Sequence, residues 1–477
     1  MLTVLDQWLG VCLIPLALWV VISGLDDLIL DFAWVVYRLR RFAWPAEETL
    51  ARTPRKRIAI FVPLWREEDV IGDMLRHNVA AIRYDDYDFF VGAYPNDSAT
   101  VAAVRDAQER FSHVHLVLCP HDGPTTKADC LNWIYQRMLL YEEEHGARFD
   151  IVVTHDAEDL IHPDSLRWIN YYSREYAMVQ APVLPLPTPP WELTHGLYCD
   201  EFAEYHAKDV PVRRMLGGFV PSCGVGTGFT REALEMLAAE RGNRIFEPSC
   251  LTEDYENGLR IHELGLRQLF IPVRPWKNGF MATREYFPRH FRAAVRQRTR
   301  WTIGIALQTW ERHRWRGGLG CKYWLWRDRK ALIGNVATPL ANLLFLYGMS
   351  AWMARGVLLA QGWVAELSCF TLALAGFHLT IRATCAARVY GWKFAAGAPA
   401  RALWGNWLNF YATLAALARY GAARWRGAPL VWFKTEHIYP SRETLLVHRR
   451  RLGDILVDAA ALSAESMEAA ASSVRQP

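Results

Sequence analysis

The 477-residue chain has only nine cysteines, an odd number, and no CxxC pair among them. That excludes a disulfide framework and a zinc ribbon and leaves buried, reduced thiols as the expectation. Neither sign of charge dominates: 54 Lys+Arg stand against 50 Asp+Glu, a formal +4 that is too even for a general nucleic-acid binder. No internal repeat is visible, and the only proline-dense loop is LPLPTPPW at 184–191. What is abundant points elsewhere. Hydrophobic residues make up 52%, which rules out a disordered chain, and the length suits about three average domains. The 21 Trp lean toward a protein that meets a membrane interface, where indole rings settle.

Between Gln7 and Asp26 no residue is charged, and WLGVCLIPLALWVVISGL is apolar almost throughout. At about 1.5 Å per residue this run covers roughly 27 Å of a hydrocarbon core about 30 Å thick. A cleaved signal peptide needs a basic leading region, yet the only charge ahead of the run is Asp6, and no small-residue cleavage site follows. The expectation is an uncleaved anchor. Arg38, Arg40 and Arg41 follow it, so the positive-inside rule places the N-terminus outside and the next domain in the cytosol. A second uncharged run lies between Lys330 and Arg355, and a third runs from Trp363 to Ile381 with Glu366 near its outer end. A fourth stretch at 402–418 is short and carries Asn406 and Asn409. Basic residues flank it, among them Arg388, Lys393, Arg401, Arg419, Arg424 and Arg426. Crossing there would export a basic tail, so a helix in the inner interface is expected instead. The predicted organisation is an anchor and juxtamembrane helix at 1–42, a cytosolic domain at 54–288 and interfacial helices at 289–326. Two transmembrane helices at 330–382, an interfacial helix at 400–426 and a cytosolic tail at 427–477 complete it.

The hydrophilic stretch alternates strand and helix patterns. Strand-like runs are RIAIFV (57–62), DFFVG (88–92), HLVL (115–118), DIVVT (150–154) and AMVQA (177–181), with helical patterns at 68–81, 99–111 and 127–144. That alternation predicts an α/β domain with a largely parallel sheet and flanking helices. Ligands of such sheets sit beyond the carboxyl ends of the strands, so the polar residues just after each strand are the ones to inspect.

After the strand ending at Thr154 comes His155-Asp156-Ala157-Glu158-Asp159. Three carboxylates there repel one another unless a cation or a solvated loop separates them. Hard oxygens in an open loop suit Mg²⁺ or Mn²⁺ bridging to a diphosphate, and a helix N-terminus before Pro163 is the simpler alternative. Thr252-Glu253-Asp254 precedes a helical stretch at 255–263 closed by Gly265. Thr252 is expected to cap it, and the helix dipole to help keep the first-turn acids ionised. An ionised carboxylate in a cleft can act as a general base. Gln297, Arg300 and Trp301 of QRTRW share one helical face. Trp offers a flat platform for a sugar ring and Arg a bidentate clamp for phosphate. A basic helix resting on a membrane surface, with Arg289, Arg292, Arg296 and Arg298, is the companion reading. Gly224, Gly226 and Gly228 form GxGxG, but no clear strand leads into it, which weighs against a dinucleotide site. His113, His115 and His121 read as a strand face and a loop histidine rather than a zinc site.

Taken together and in order, these motifs resemble the membrane-embedded, processive members of glycosyltransferase family 2, which include the cellulose, chitin and hyaluronan synthases. The resemblance runs over about 58–304 with the flanking membrane segments. FVPLWREEDVI (61–71) looks like the first strand and nucleotide loop, holding Pro63 and Glu67. KADCLN (127–132) matches the block whose Lys127 meets the diphosphate. DAE (156–158) occupies the DxD site, which implies Asp156 near the nucleotide and metal and Glu158 toward the metal. CGVGTGFTREAL (223–234) resembles the acceptor-side loop with Cys223 and Gly224. TED supplies Asp254 as the implied base, with Glu253 beside it, and QRTRW is the QxxRW signature with Gln297, Arg300 and Trp301. YPND (94–97), DAED, ATREYFP (282–288) and WFKTEH (432–437) resemble the bacterial phage-adsorption protein B group within that family. Members often carry paired Asp after the second strand; here the loop reads GAYPNDSAT, with Asp97 as the substitute. RLGDILVDAAALSAES (451–466) looks like the start of a cyclic di-GMP-binding motif with Ala460 at the expected Gly, so sensing by this chain alone is not expected.

The resemblance implies a GT-A-like nucleotide-sugar domain plus membrane and interfacial helices. It implies an inverting hexosyl- or N-acetylhexosaminyl-transferase that uses a UDP-sugar with Mg²⁺ or Mn²⁺. Its partners would be a glycan or lipid-linked acceptor, the lipid bilayer of a bacterial inner membrane and an envelope export partner, with no nucleic acid. Two other readings are single-sugar transfer to a lipid carrier, and a non-catalytic envelope scaffold or phage-uptake component.

Overall fold

The five strand-like runs form β1 (Ile58–Pro63), β2 (Tyr87–Ala93), β3 (Val114–Leu118), β4 (Ile151–Thr154) and β5 (Met178–Gln180), and two strands not read from the sequence, β6 (Thr227–Thr230) and β7 (Gln268–Phe270), complete a seven-stranded sheet. The computed structural model describes residues 3–40, 42–276, 279–430, 439–441 and 444–445. The motifs WFKTEH and RLGDILVDAAALSAES lie outside them. In space the strands run β3-β2-β1-β4-β6-β5-β7. All neighbours are parallel except β6, which is antiparallel to both β4 and β5. The sheet is buried on both faces, as continuous apolar runs require. Ile58, Ile60 and Val62 of β1 pack into one core layer, and Ala59 and Phe61 into the other.

β6 agrees with the reading of the three glycines, into which no strand leads. They run into a strand rather than follow one, and Gly228 lies inside it, where a Cβ would meet Ile169 at 2.4 Å. The first helix after β1 spans Ile71–Ala81, later than the pattern implied, because the Glu67 carbonyl accepts from Val70 and Ile71 in a preceding turn. Ser98–Arg110 and Lys127–His145 match their patterns closely.

Among the described residues three helices are long and apolar enough to cross a membrane: Val4–Leu39, Leu319–Arg355 and Trp363–Tyr390. The helix holding the second uncharged run therefore begins ahead of Lys330. The first helix packs against the other two. Its charged stretch is tied across them: Asp26 accepts from Tyr323 at 2.6 Å and Lys330 at 2.5 Å, and Asp27 from Arg327 at 2.8 Å. Asp31 accepts from Lys208 at 2.7 Å, and Glu204, 2.8 Å from Lys208, also binds Arg382 at 2.7 Å. The long apolar helices are thus joined by ion pairs to the helical segment that follows β5. Not every thiol is buried, as composition had led us to expect: Cys12 and Cys369 are exposed on the apolar helices.

The fourth stretch forms one helix, Ala398–Arg426, packed on Leu193–Glu204 and on the QRTRW helix, Phe291–Thr302. Arg401 anchors it: fully buried, it donates to both oxygens of Asp200 at 2.6 and 2.9 Å. Leu403, Tyr411, Leu414, Leu417 and Trp425 of this helix remain exposed.

Candidate active site

A cavity of about 510 Å³ opens at the carboxyl ends of β1 and β4, where the strand order reverses direction. Each strand end contributes one wall. Beyond β1, Pro63, Trp65 and Glu67 line it. This loop is held by Asp97 after β2, whose carboxylate accepts from the Arg66 backbone N–H at 2.6 Å, and by Thr100, which accepts from Glu67 N–H at 2.9 Å. Arg66 has φ 55°, a left-handed backbone that a side chain rarely adopts, and the Asp97 contact supports it. Asp97 itself is not among the lining residues.

Lys127 begins the helix after β3, where Thr126 caps by accepting from Asp129 N–H. Its ammonium meets Asp156 Oδ1 at 2.5 Å. The DAED loop divides its acids by orientation. Asp159 is fully buried and turned inward, 2.7 Å from His155 Nδ1 and accepting from Asp156 N–H at 3.0 Å. Asp156 and Glu158 line the cavity. Among the described residues no three His, Cys, Asp or Glu side chains gather as a closed metal site. Two carboxylates in an open loop fit a hard divalent ion that takes its remaining ligands from substrate phosphates.

The opposite wall is the loop from Ser222 to β6. Its hub is Gln180 of β5, which sequence reasoning missed: its Oε1 accepts from Cys223 N–H at 2.9 Å and from Thr227 Oγ1 at 2.6 Å. A buried glutamine at the end of a short apolar strand was the available signal. Cys223 lines the cavity, and burial raises its thiol pKa, with the Asp254 charge adding to the effect. Gly224 has φ +76°, and a Cβ there would lie 2.7 Å from Asp254 Oδ2 and 3.3 Å from Lys127 Nζ. Asp254, Lys127 and Asp156, widely separated in the chain, therefore surround one point.

Glu253 and Asp254 open the helix Glu253–Glu263, and Gly265 follows it with φ +73°. Thr252 does not cap it, since its hydroxyl has no partner among the described residues; Asp254 Oδ1 instead accepts from Tyr255 N–H at 2.8 Å. The expected ionisation by the helix dipole is also outweighed. Burial raises both carboxyls, Glu253 to about 7 with the Asp254 charge adding to it, while Asp254 rises despite the nearby Lys127 charge.

Gln297, Arg300 and Trp301 all line the cavity. Trp301 packs on Tyr198, Phe202 and Phe287, with ring centroids 6.0 to 6.4 Å away. Arg298 points the other way, donating to Glu201 at 2.6 Å and Asn409 at 2.8 Å. Of the residues singled out from sequence, Pro63, Glu67, Lys127, Asp156, Glu158, Cys223, Glu253, Asp254, Gln297, Arg300 and Trp301 meet in this one cavity. Asp97 and Gly224 support its walls.

Residues 54–304 match the family model described as "Glycosyltransferase like family 2". The chain belongs to glycosyltransferase family 2. It is 35% identical over 508 positions to bacteriophage adsorption protein B of Escherichia coli (strain K12), covering 98% of this chain and 68% of that protein. Bacteriophage N4 adsorption protein B of Escherichia coli O157:H7 matches to the same extent. The fold resembles that of the mannosyltransferase PcManGT from Pyrobaculum calidifontis, solved with GDP-Man and Mn²⁺. The TM-score is 0.52 at 17% identity, over 82% of this chain and 99% of that one. The architecture is thus GT-A-like, with helices long and apolar enough to span a membrane at both ends of the sheet domain.

Proposed function

We propose that this protein is an inverting, divalent-metal-dependent glycosyltransferase that moves a hexosyl or N-acetylhexosaminyl group from a UDP-sugar to a growing glycan at the bacterial inner membrane. The observation that carries this reading is the convergence of Asp156, Lys127 and Asp254 on one cavity that Glu158 also lines. Pro63 and Glu67 would border the nucleotide, with Asp97 bracing their loop. Asp156 and Glu158 would hold Mg²⁺ or Mn²⁺, which when bound supplies charge neutralisation on the donor diphosphate. Lys127 and Arg300 would offset the negative charge that grows on the departing UDP. Asp254 would accept the proton of the acceptor hydroxyl as its oxygen bonds to the anomeric carbon and the carbon–phosphate oxygen bond breaks on the opposite face. One in-line displacement inverts the configuration. Glu253 would tune that base, and Trp301 with Gln297, Cys223 and Gly224 would border the acceptor.

Two further features support work at a bilayer. The cavity is also lined by Asp328 and Arg382, which belong to two of the apolar helices, so its far end reaches the membrane region. The helix Ala398–Arg426 leaves a row of apolar side chains uncovered, suited to lying in the inner interface with the catalytic domain on the cytosolic side. The acceptor would be a glycan or lipid-linked sugar held there, and an envelope partner would take the product onward.

Asp254→Asn is the direct test. Transfer should fall by about 10²–10⁴-fold, the usual contribution of a general base, while UDP binding stays near that of the unaltered protein. Retained turnover would remove Asp254 from the role of base.

A further inference from the structure

One cavity carboxylate has no part in the chemistry above. Glu285 lies in an extended segment clamped on both sides. Thr283 N–H donates to Pro182 O at 2.9 Å, and Leu186 N–H to Glu285 O at 2.9 Å. Leu160 and Arg284 exchange backbone hydrogen bonds at 2.8 and 3.0 Å. Side chains alternate along such a segment. Arg284 and Tyr286 point away, Arg284 toward Pro185 O and Tyr286 beneath Arg289, while Glu285 and Phe287 face the cavity. The aim of Glu285 is therefore set by backbone on two flanks.

Its neighbours place it along the cavity. Glu158 and Asp156 lie near enough that their charges, after burial and Asp159, raise its carboxyl well above the usual range. Cys223 is near as well, its thiol pKa raised by burial, then by Asp254 and Glu285. Glu285 thus lines the same cavity as the carboxylates proposed for the diphosphate and the loop proposed for the acceptor, within electrostatic reach of both. Among the described residues no hydrogen bond or ion pair is made to its carboxylate, so its hydrogen-bonding capacity is directed into the cavity. The group that lies within reach of both in a glycosyl transfer is the sugar being moved, and its hydroxyls are complementary to a carboxyl group.

Building on the function proposed above, we infer that Glu285 is a sugar-binding residue that hydrogen-bonds hydroxyl groups of the donor's hexopyranosyl ring and sets which epimers are accepted. A pocket that hydrogen-bonds a hydroxyl discriminates strongly against a sugar that presents it elsewhere, because the pocket's polar group is then left unpaired.

The test uses the full-length protein and its Glu285→Gln and Glu285→Ala variants. Donors are UDP-glucose and UDP-galactose with their N-acetylated counterparts, and UDP affinity with Mn²⁺ is measured alongside. UDP affinity should stay within about twofold, which also reports an intact fold. For the preferred donor, kcat/KM should fall roughly ten- to hundredfold in the Ala variant, chiefly through KM. The preference between epimers should flatten toward unity, with the Gln variant between the two. An unchanged epimer preference in both variants overturns the assignment while leaving the transferase reading intact. UDP affinity falling in step with transfer would also overturn it, placing Glu285 with the metal or the fold. If the unaltered protein neither binds UDP nor turns over any donor, the transferase reading and this assignment fall together.

Discussion

The carboxyls of Glu253 and Asp254 are raised by burial, and Glu253 reaches about 7 with the charge of its neighbour added. A base must be deprotonated to work, so kcat/KM should climb with pH as the raised carboxyl of Asp254 loses its proton and fall away below that. Glu253→Gln leaves Asp254 as the titrating acid of the pair, so this acid limb should persist in the variant, read from the rate profile between roughly pH 5 and 9. A profile that is flat in that interval would separate these acids from the rate. Gly224 makes a second residue-level prediction. Gly224→Ala forces a side chain into φ +76° and puts a methyl 2.7 Å from Asp254 Oδ2. The backbone cost alone is about 1–2 kcal/mol. Displacement of the base should lower transfer by roughly tenfold or more, beyond what the stability loss explains. Equal activity with Ala would show that this close approach is dispensable.

Among the elements, the clearest dependence is on Arg401. Fully buried and bonded to Asp200, it fixes the helix Ala398–Arg426 against Leu193–Glu204. Arg401→Leu leaves Asp200 buried without its partner, which should cost about 3–5 kcal/mol. Adding Asp200→Asn should recover part of that loss, as read by thermal shift in detergent. No recovery would mean that packing rather than charge holds the helix. The same scale shows what could be read in advance. Strands β1 to β5 and the helix beginning at Lys127 were legible because continuous apolar runs and 3.6-residue periodicity leave a local trace. β6 was not, since TGFT is short, half of it is not apolar, and its pairing with β4 and β5 is decided by tertiary contact. For the site, the motif acids could be listed, but Asp159 turning inward to His155 and Gln180 organising the loop from Ser222 to β6 could not. Those roles depend on which neighbour lies within reach once the sheet is assembled. Thr252 failed as a cap for a similar reason: it is buried against Gly304, where a Cβ would come within 2.2 Å of its hydroxyl.

For the molecule as a whole, the ion pairs linking Asp26, Asp27 and Asp31 to Lys208, Arg327 and Lys330 tie the long apolar helices to the transferase domain. One cavity then runs from the sheet's carboxyl edge to Asp328 and Arg382 on the apolar helices. The central claim is that Asp156 and Glu158 hold a divalent ion together with the donor diphosphate, while Asp254 serves the acceptor. Mn²⁺ binding to the purified protein, followed by electron paramagnetic resonance with and without UDP, tests it most directly. The account predicts tight Mn²⁺ binding that depends on UDP, is lost in Asp156→Ala and Glu158→Ala, and persists in Asp254→Asn. Mn²⁺ binding that ignores UDP, or survives both substitutions in the DAED loop, would contradict it.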